Sequence, residues 1–118
     1  MSEPGYKKLL VWKVADELAR KIYFLAKSFP PHEQYGLTSQ LRRAGLSVVL
    51  NIIEGYSRNG KNEFRQFLRI ALGSLAEVEY LIDFALDQGY IKQEDKSELI
   101  ALRVRCGQLL WKLFRSLD

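Results

Sequence analysis

Cysteine and histidine are almost absent from this sequence, and their scarcity excludes several kinds of chemistry. The 118 residues include one cysteine, Cys106, and one histidine, His32. A single cysteine cannot form a disulfide within the chain, and its apolar surroundings predict a buried thiol. The sequence has no HExxH motif, no cysteine pair, no pair of ExxH helices and no glycine-rich phosphate loop. We therefore expect a protein that is not an enzyme and that holds no metal or cofactor.

Long apolar runs are absent as well. No uncharged segment approaches the roughly 18 residues of a membrane span, and residues 1–8 lack the apolar stretch of a signal peptide. Proline and glycine are sparse, and the three prolines, Gly36, Gly60 and Gly89 fall between periodic segments, as in helices joined by short loops. These features predict a cytoplasmic protein without a membrane partner, built as one domain over residues 1–118.

Apolar side chains recur at steps of three and four residues, which predicts α-helices. Thr38 is the expected N-cap of the second helix, and no strand pattern competes with the helical one. Short loops between long helices favour an all-α, up-down-up-down antiparallel four-helix bundle. The predicted helices cover about residues 8–27, 38–58, 61–88 and 93–116.

The second helix carries a polar ribbon beside its apolar stripe. The ribbon is either a solvent-exposed surface or a hydrogen-bonded seam between packed helices or subunits. Asn51 favours the seam because it interrupts the apolar run VVLNII. Glu54 is the one acid that this pattern could bury, and a salt bridge with an arginine explains it more simply than acid catalysis does. The ribbon consists of Gln40, Arg43, Ser47, Asn51, Glu54 and Arg58.

Lysine and arginine concentrate in the first part of the chain. Residues 1–70 contain twelve basic and six acidic residues, whereas residues 71–118 contain six and eight. This distribution fits a surface that binds a polyanion, with a solvated surface or a charge pattern for self-association as alternatives. The candidate nucleic-acid-binding residues form two ridges at helical spacing: Lys13, Arg20 and Lys27 in the first helix, and Lys61, Arg65 and Arg69 in the third, next to Arg58.

Acidic residues mark the end of the third helix. Glu79, Asp83 and Asp87 lie four residues apart, where a negative charge opposes the helix macrodipole. We therefore expect basic partners for them among three residues of the fourth helix: Arg103, Arg105 and Lys112.

Helices one and four each carry a second apolar surface, which is more than one bundle seam needs. These surfaces include Trp12, Trp111 and Phe114. A wide core is one explanation. Self-association is the other, and we favour it because a monomer would expose a large aromatic patch.

Nearly the whole chain resembles a known family, and two segments carry the resemblance. LTSQLRRAGLSVVLNIIEGYSR and KNEFRQFLRIALGSLAEVEYLI are similar to the S23, or 23S rRNA intervening-sequence, proteins. Two positions depart from the family pattern: Val49 stands near the usual proline of the second helix, and Gly60 replaces a usual serine. The resemblance transfers no catalytic residue. The positions that it marks as architectural or interfacial are Arg42, Arg43, Asn51, Glu54, Gly55, Tyr56, Phe64 and Glu77.

The resemblance also implies an assembly and partners. It suggests a bacterial homopentameric ring of four-helix bundles, related to the accessory protein of diversity-generating retroelements. That relative is a basic pentamer that partners a reverse transcriptase and RNA. Two hypotheses follow for this chain: an oligomer that binds RNA or DNA, and a scaffold that docks a protein partner without nucleic acid.

Overall fold

The computed structural model describes residues 3–118, and its regular secondary structure in that range is helical. No strand occurs among the described residues, and the all-α prediction is confirmed. Two short 3₁₀ turns, Gly5–Lys8 and Pro31–Glu33, precede the first and second α-helices. The α-helices are α1 (Leu10–Ala26), α2 (Leu37–Tyr56), α3 (Lys61–Asp87) and α4 (Gln93–Ser116).

The helices pack in chain order as an up-down-up-down bundle. Within the described part of the chain, α1 contacts α2, α2 contacts α3, α3 contacts α4, and α4 returns to α1, while the diagonal pairs make no close backbone contact. Short connections force this order, because a helix that follows a tight loop can only run back along its predecessor. Four helices in an antiparallel bundle agree with the prediction.

The core consists of one apolar stripe from each helix. Its members recur every three or four residues, and burying them supplies most of the folding free energy. The largest fully buried aliphatic side chains are Leu18, Ile22, Val48, Ile52, Leu68, Leu75, Val78, Ile82, Leu99 and Leu110.

Two glycines let α2 approach its neighbours closely. A Cβ atom on Gly55 would lie 2.9 Å from Cδ1 of Phe64 and 3.0 Å from Cβ of Phe67. On the side of α2 that faces α1, a Cβ atom on Gly45 would lie 3.0 Å from Cδ1 of Ile22. Gly55 is thus an architectural residue, as the resemblance implied, because it sets the spacing between α2 and α3.

The predicted N-cap residue of α2 was wrong, although the helix begins within one residue of the predicted start. Gly36, not Thr38, is the N-cap residue, and Thr38 is buried in the first turn. The backbone N–H of Leu37 donates instead to the Glu33 carboxylate, at 3.1 Å. The turn Pro31–Glu33 brings this carboxylate to the helix end, where it replaces the expected hydroxyl cap.

Two of the three acids at the end of α3, Glu79 and Asp83, have basic partners, and only one of these partners was named correctly. Arg103 lies 3.9 Å from Glu79, whereas Asp83 pairs with Lys96, at 2.7 Å. Gly89, with φ of +78°, reverses the chain after α3. The first turn of α4 therefore lies beside the last turn of α3, and Arg105 and Lys112 are too far along α4 to reach Asp83.

The buried thiol of Cys106 gives a first testable prediction. Burial raises its pKa to about 12, although nearby Arg103 acts in the opposite direction. Because thiolate is the reactive form, we expect the folded protein to react with a thiol reagent at least about 100-fold more slowly than the unfolded chain. Absorbance at neutral pH, with and without denaturant, measures both rates. Equal rates would contradict the burial.

The same thiol predicts a dependence of stability on alkaline pH. The folded pKa lies above the ordinary value of about 8.5, so the folded state keeps a proton that the unfolded state loses. The contribution to stability is complete below about pH 8.5 and declines as the pH rises towards 12. Cys106→Ala should lack this part of the decline when urea unfolding is compared at pH 8 and pH 10.

Candidate nucleic-acid interface

Alternation of helix direction brings four separate chain segments to one end of the bundle. Here α1 and α3 begin, and α2 and α4 end. Close contacts tie the segments together: Gly5 lies against the ring of Tyr56, and Arg65 on α3 forms an ion pair with Asp118 after α4, at 3.2 Å. We call the nine basic residues of this end the basic pole: Lys7, Lys8, Lys13, Arg58, Lys61, Arg65, Arg69, Lys112 and Arg115.

The basic pole carries a large excess of positive charge. Residues 3–13, 54–69 and 112–118 contain its nine basic residues and four acids, Glu3, Glu54, Glu63 and Asp118. Helix dipoles add little here, because two helix N-termini and two C-termini meet at the same end. The local field therefore comes from the side chains.

Arg65 and Arg69 brace the pole internally. Their guanidinium groups stack on the ring of Phe114, at 4.5 and 5.1 Å from its centroid. Phe114 is buried, so the stack fixes the end of α4 against α3. Arg65 also pairs with Asp118, and its side chain is only 26% exposed. Arg65 therefore has less charge available to a ligand than the sequence pattern suggested.

Arg58 and Glu54 form an ion pair on the surface of α2. The Arg58 guanidinium also stacks over Phe67, 5.1 Å from the ring centroid. The Glu54 side chain is 49% exposed. The interpretation of Glu54 as a buried acid is thus wrong, since its position at the end of the polar ribbon faces solvent, whereas the expected salt bridge with an arginine is present.

Other members of the pole remain exposed and have no acidic partner within residues 3–118. These are Lys8, Lys13, Lys61, Lys112 and Arg115, together with Arg69 apart from its aromatic stack. Lysine side chains of this kind reach phosphate oxygens as mobile point charges. They are the residues best placed to contact a polyanion.

The structure does not bring the two predicted ridges together. The Lys13, Arg20 and Lys27 ridge follows α1, which lies diagonally opposite α3 and its ridge. Arg20 pairs with Asp16, at 2.9 Å, and Lys27 lies over the Phe24 ring towards the other end of the bundle. Of this ridge, only Lys13 belongs to the basic pole.

The polar ribbon of α2 is a seam at its centre and a surface at its ends. The hydroxyl groups of Ser47 and Ser74 are 2.7 Å apart and link α2 to α3. Asn51 donates to the Ser47 carbonyl, at 2.8 Å, and to its hydroxyl, at 3.0 Å. Buried Ser74 was missed from the sequence because a lone serine in a helix carries no signal of its partner. Gln40, Arg43, Glu54 and Arg58 are exposed.

Arg42 and Tyr56 hold neighbouring elements together. The Arg42 guanidinium stacks on Tyr23 of α1, 4.7 Å from the ring centroid, and donates to its carbonyl, at 3.4 Å. Tyr56 meets the edge of Phe64, with ring centroids 6.3 Å apart. Trp12 is half-buried beside Tyr6, at 5.3 Å. Trp111 remains 48% exposed.

A hydrogen-bonded cluster fastens the loops at the other end of the bundle. Glu33 accepts from the Leu37 N–H and from the Tyr90 hydroxyl, at 2.9 Å, and these bonds lower the pKa of its carboxyl group. Burial, followed by the nearby carboxylate, raises the pKa of Tyr90. His32 is exposed and lies 3.3 Å from the Tyr90 hydroxyl. The cluster is structural, since its groups satisfy one another.

Neither a metal-binding cluster nor a membrane-spanning helix occurs among residues 3–118. Within residues 3–118, no group of three or more histidine, cysteine, aspartate or glutamate side chains could hold a metal ion. None of the helices in that range combines the length and apolar character that a bilayer-spanning helix requires.

Comparison with known proteins identifies the family. A model of the 23S rRNA-intervening sequence protein family matches residues 7–112, which is most of the chain. The chain belongs to this family. The resemblance carried by the α2 and α3 motifs is thereby confirmed, and the family description names no enzymatic activity. Eight of the nine residues of the basic pole lie within the matched range, and Arg115 lies beyond it.

A solved structure supports the fold of this intervening-sequence family member. A protein with unknown function from the S23 ribosomal protein family of Bacteroides thetaiotaomicron superposes with a TM-score of 0.83 at 24% identity. The match covers 90% of this chain and 96% of that one. Among curated proteins, the chain has no significant match.

Four members of the basic pole were not among the predicted binding residues of this intervening-sequence protein: Lys7, Lys8, Lys112 and Arg115. No ridge at helical spacing marks them. The alternation of helix direction could have revealed these residues, because it places the start of α1 and the end of α4 beside the break between α2 and α3.

Proposed function

We propose that this intervening-sequence family protein is a non-enzymatic RNA-binding accessory protein that acts as a homo-oligomer. The observation that carries the proposal is the basic pole, where nine basic residues meet four acids at one end of the bundle. The family description, which refers to an rRNA intervening sequence, makes RNA the polyanion that we favour.

The exposed lysines would bind phosphate groups rather than base edges. Their side chains are long and mobile, and a mobile point charge does not fix the orientation of a base. Such binding tolerates different sequences and weakens steeply with salt, because each neutralised phosphate releases a counterion. We therefore expect preference for charge density and backbone shape over sequence.

Self-association would convert weak contacts into useful affinity. Each chain offers one basic pole, and an oligomer presents several to one RNA molecule, which raises the effective concentration of each further contact. The homopentamer implied by the family resemblance is the assembly that we propose.

Paired charge reversals test the site of binding. Lys61→Glu/Lys112→Glu removes two exposed cations of the pole, and Lys92→Glu/Arg105→Glu removes two exposed cations that lie outside the pole. Each double change lowers the formal net charge from +4 by four units, so the two variants differ in charge position alone. We expect the pole variant to bind single-stranded RNA at least about tenfold more weakly at low salt, with the control close to wild type.

Titration over a range of salt concentrations sharpens the test. The slope of log K against log salt should decrease by about 1.4 for two lost phosphate contacts, at about 0.7 for each. Equal losses in the two variants, or no RNA binding by the wild type at low salt, would contradict the proposal. Co-purification of a protein partner at high salt, without nucleic acid, would instead support the scaffold hypothesis.

A further inference from the structure

An apolar surface with a basic rim lies on the outside of α1 and α2. We call it the α1–α2 face and define it by Tyr23, Phe24, Leu46 and Leu50. Phe24 is 68% exposed and Leu50 is 57% exposed, which is high for neighbouring large apolar side chains. A groove of about 400 Å³ runs between Phe24 and Leu46. A surface of this kind is typical of a contact that the isolated chain leaves unfilled.

The rim of the α1–α2 face is positively charged. Residues 38–50 contain Arg42 and Arg43 and no acid. Lys27 borders the same groove as Phe24. None of these three cations has an acidic partner within 4.0 Å among the described residues. A partner with acidic residues around an apolar centre would therefore complement this face.

Such a surface is present on the same chain, on the outside of α3. We call it the α3 face and define it by Tyr80 and Phe84, whose rings are 6.4 Å apart and which are 66% and 38% exposed. Residues 77–87 contain four acids and no basic residue. Lys96 and Arg103 pair with two of these acids, which leaves the α3 face with an excess of negative charge.

The two faces overlap in level along the bundle axis at Tyr23, Phe24 and Tyr80. Arg42 contacts Tyr23, and Ser47 contacts Ser74. In the antiparallel register that these contacts set, Tyr23, Arg42 and Glu79 occupy about the same level. Tyr80 therefore lies near the level of Phe24, on a different side of the bundle.

We infer that the α1–α2 face of one copy binds the α3 face of the next copy. Apolar side chains meet at the centre of this contact, and the arginines of one copy approach the acids of the other. A contact between two different faces is heterologous, and it closes into a ring when successive copies are related by rotation without translation. The shared level of Phe24 and Tyr80 favours this closure.

The inference deepens the proposed self-association and assigns its partner surfaces. It also aligns the copies, because rotation about an axis parallel to the bundles places every basic pole on the same side of the ring. It differs from the sequence-based expectation, which placed the contact at the two tryptophans. Trp12 is already half-buried on its own chain, and Trp111 lies on α4 beside the basic pole.

Variants that break one face each provide the test. Phe24→Glu/Leu50→Glu damages the α1–α2 face, and Tyr80→Lys/Phe84→Lys damages the α3 face. Each variant alone has one intact face without a complement, so we expect light scattering to give the mass of one 13.7 kDa chain. Mixed in equal amounts, the two variants should form a dimer of two such chains through their remaining intact faces.

Circular dichroism shows whether each variant is folded. If a double variant does not fold, the milder single change on the same face, Leu50→Ser or Tyr80→Ser, is used in its place. Trp111→Glu is the matched control and should keep the wild-type mass. The inference is overturned if the wild type is monomeric, if either damaged variant still self-associates, or if their mixture remains monomeric. A wild-type mass that grows without limit would overturn ring closure.

These measurements use protein free of RNA, so their outcome is independent of the test of the basic pole. If the masses agree with the inference but the protein does not bind RNA, RNA binding is contradicted and the interface stands. If a monomer binds RNA, the interface is contradicted and RNA binding stands.

Discussion

Replacing Ile82 by alanine should lower the free energy of unfolding by about 2–5 kcal/mol. Ile82 is fully buried in the core stripe of α3. The substitution removes buried apolar surface and leaves a cavity that rigid helices on either side cannot close. Urea unfolding followed by circular dichroism, at one fixed protein concentration, measures the change. The concentration must be fixed because dissociation of an oligomer contributes to the apparent stability.

Ile70→Ala is the matched control, with the same chemical change in the same helix. Ile70 is 44% exposed, so we expect a loss below about 1 kcal/mol. Similar losses for the two variants would mean that α3 is rotated from the orientation described here, with a different stripe in the core.

Replacing Gly55 by alanine should destabilise the protein, although alanine is the better helix former. Its new Cβ would lie 3.0 Å or less from Phe64 and Phe67, and 3.3 Å from the Phe64 carbonyl oxygen. Backbone atoms among these neighbours cannot move without shifting α3. Overpacking of this kind costs about 1–3 kcal/mol, which exceeds the gain of about 1 kcal/mol from helix propensity. The same urea titration measures the difference.

Gly73→Ala should act in the opposite direction. Gly73 lies in the same pair of helices, and its added Cβ would have no neighbour within 4 Å. Only the propensity gain remains, and we expect stabilisation of about 0.5–1 kcal/mol. If both alanine variants were stabilised, the close approach of α2 and α3 at Gly55 would be refuted.

Local patterns were sufficient to find the helices, because each helix repeats its apolar side chains at its own period. The buried residues of α3, from Leu68 to Ala85, recur at steps of three and four residues, which is the spacing that predicts a helix. Helix ends were harder to predict. Thr38 has the chemistry of an N-cap, but the carboxylate of Glu33 occupies that role from the preceding turn, and no local rule couples the two.

Candidate site residues were even harder to predict than helix ends, because the spacing along one helix does not show which residues of the neighbouring helices contact it. Arg65 and Arg69 have the spacing of an exposed ridge, yet both stack on Phe114, which is 45 or more positions away in the chain. Lys112 and Arg115 were overlooked for the same reason. Their neighbours at the basic pole come from other helices.

The order and spacing of apolar residues, by themselves, predicted four helices in an antiparallel bundle, and the motifs of α2 and α3 carried the resemblance to the intervening-sequence family. Tertiary structure alone decided which charges meet. Because the chain reverses direction at each loop, basic residues from the beginning, middle and end of the described range lie at one end of the bundle. Glu79, Asp83 and Asp87 lie at the other end. Periodicity is a property of a single helix, whereas a surface is made by residues from several, so only the packed bundle defines the basic pole.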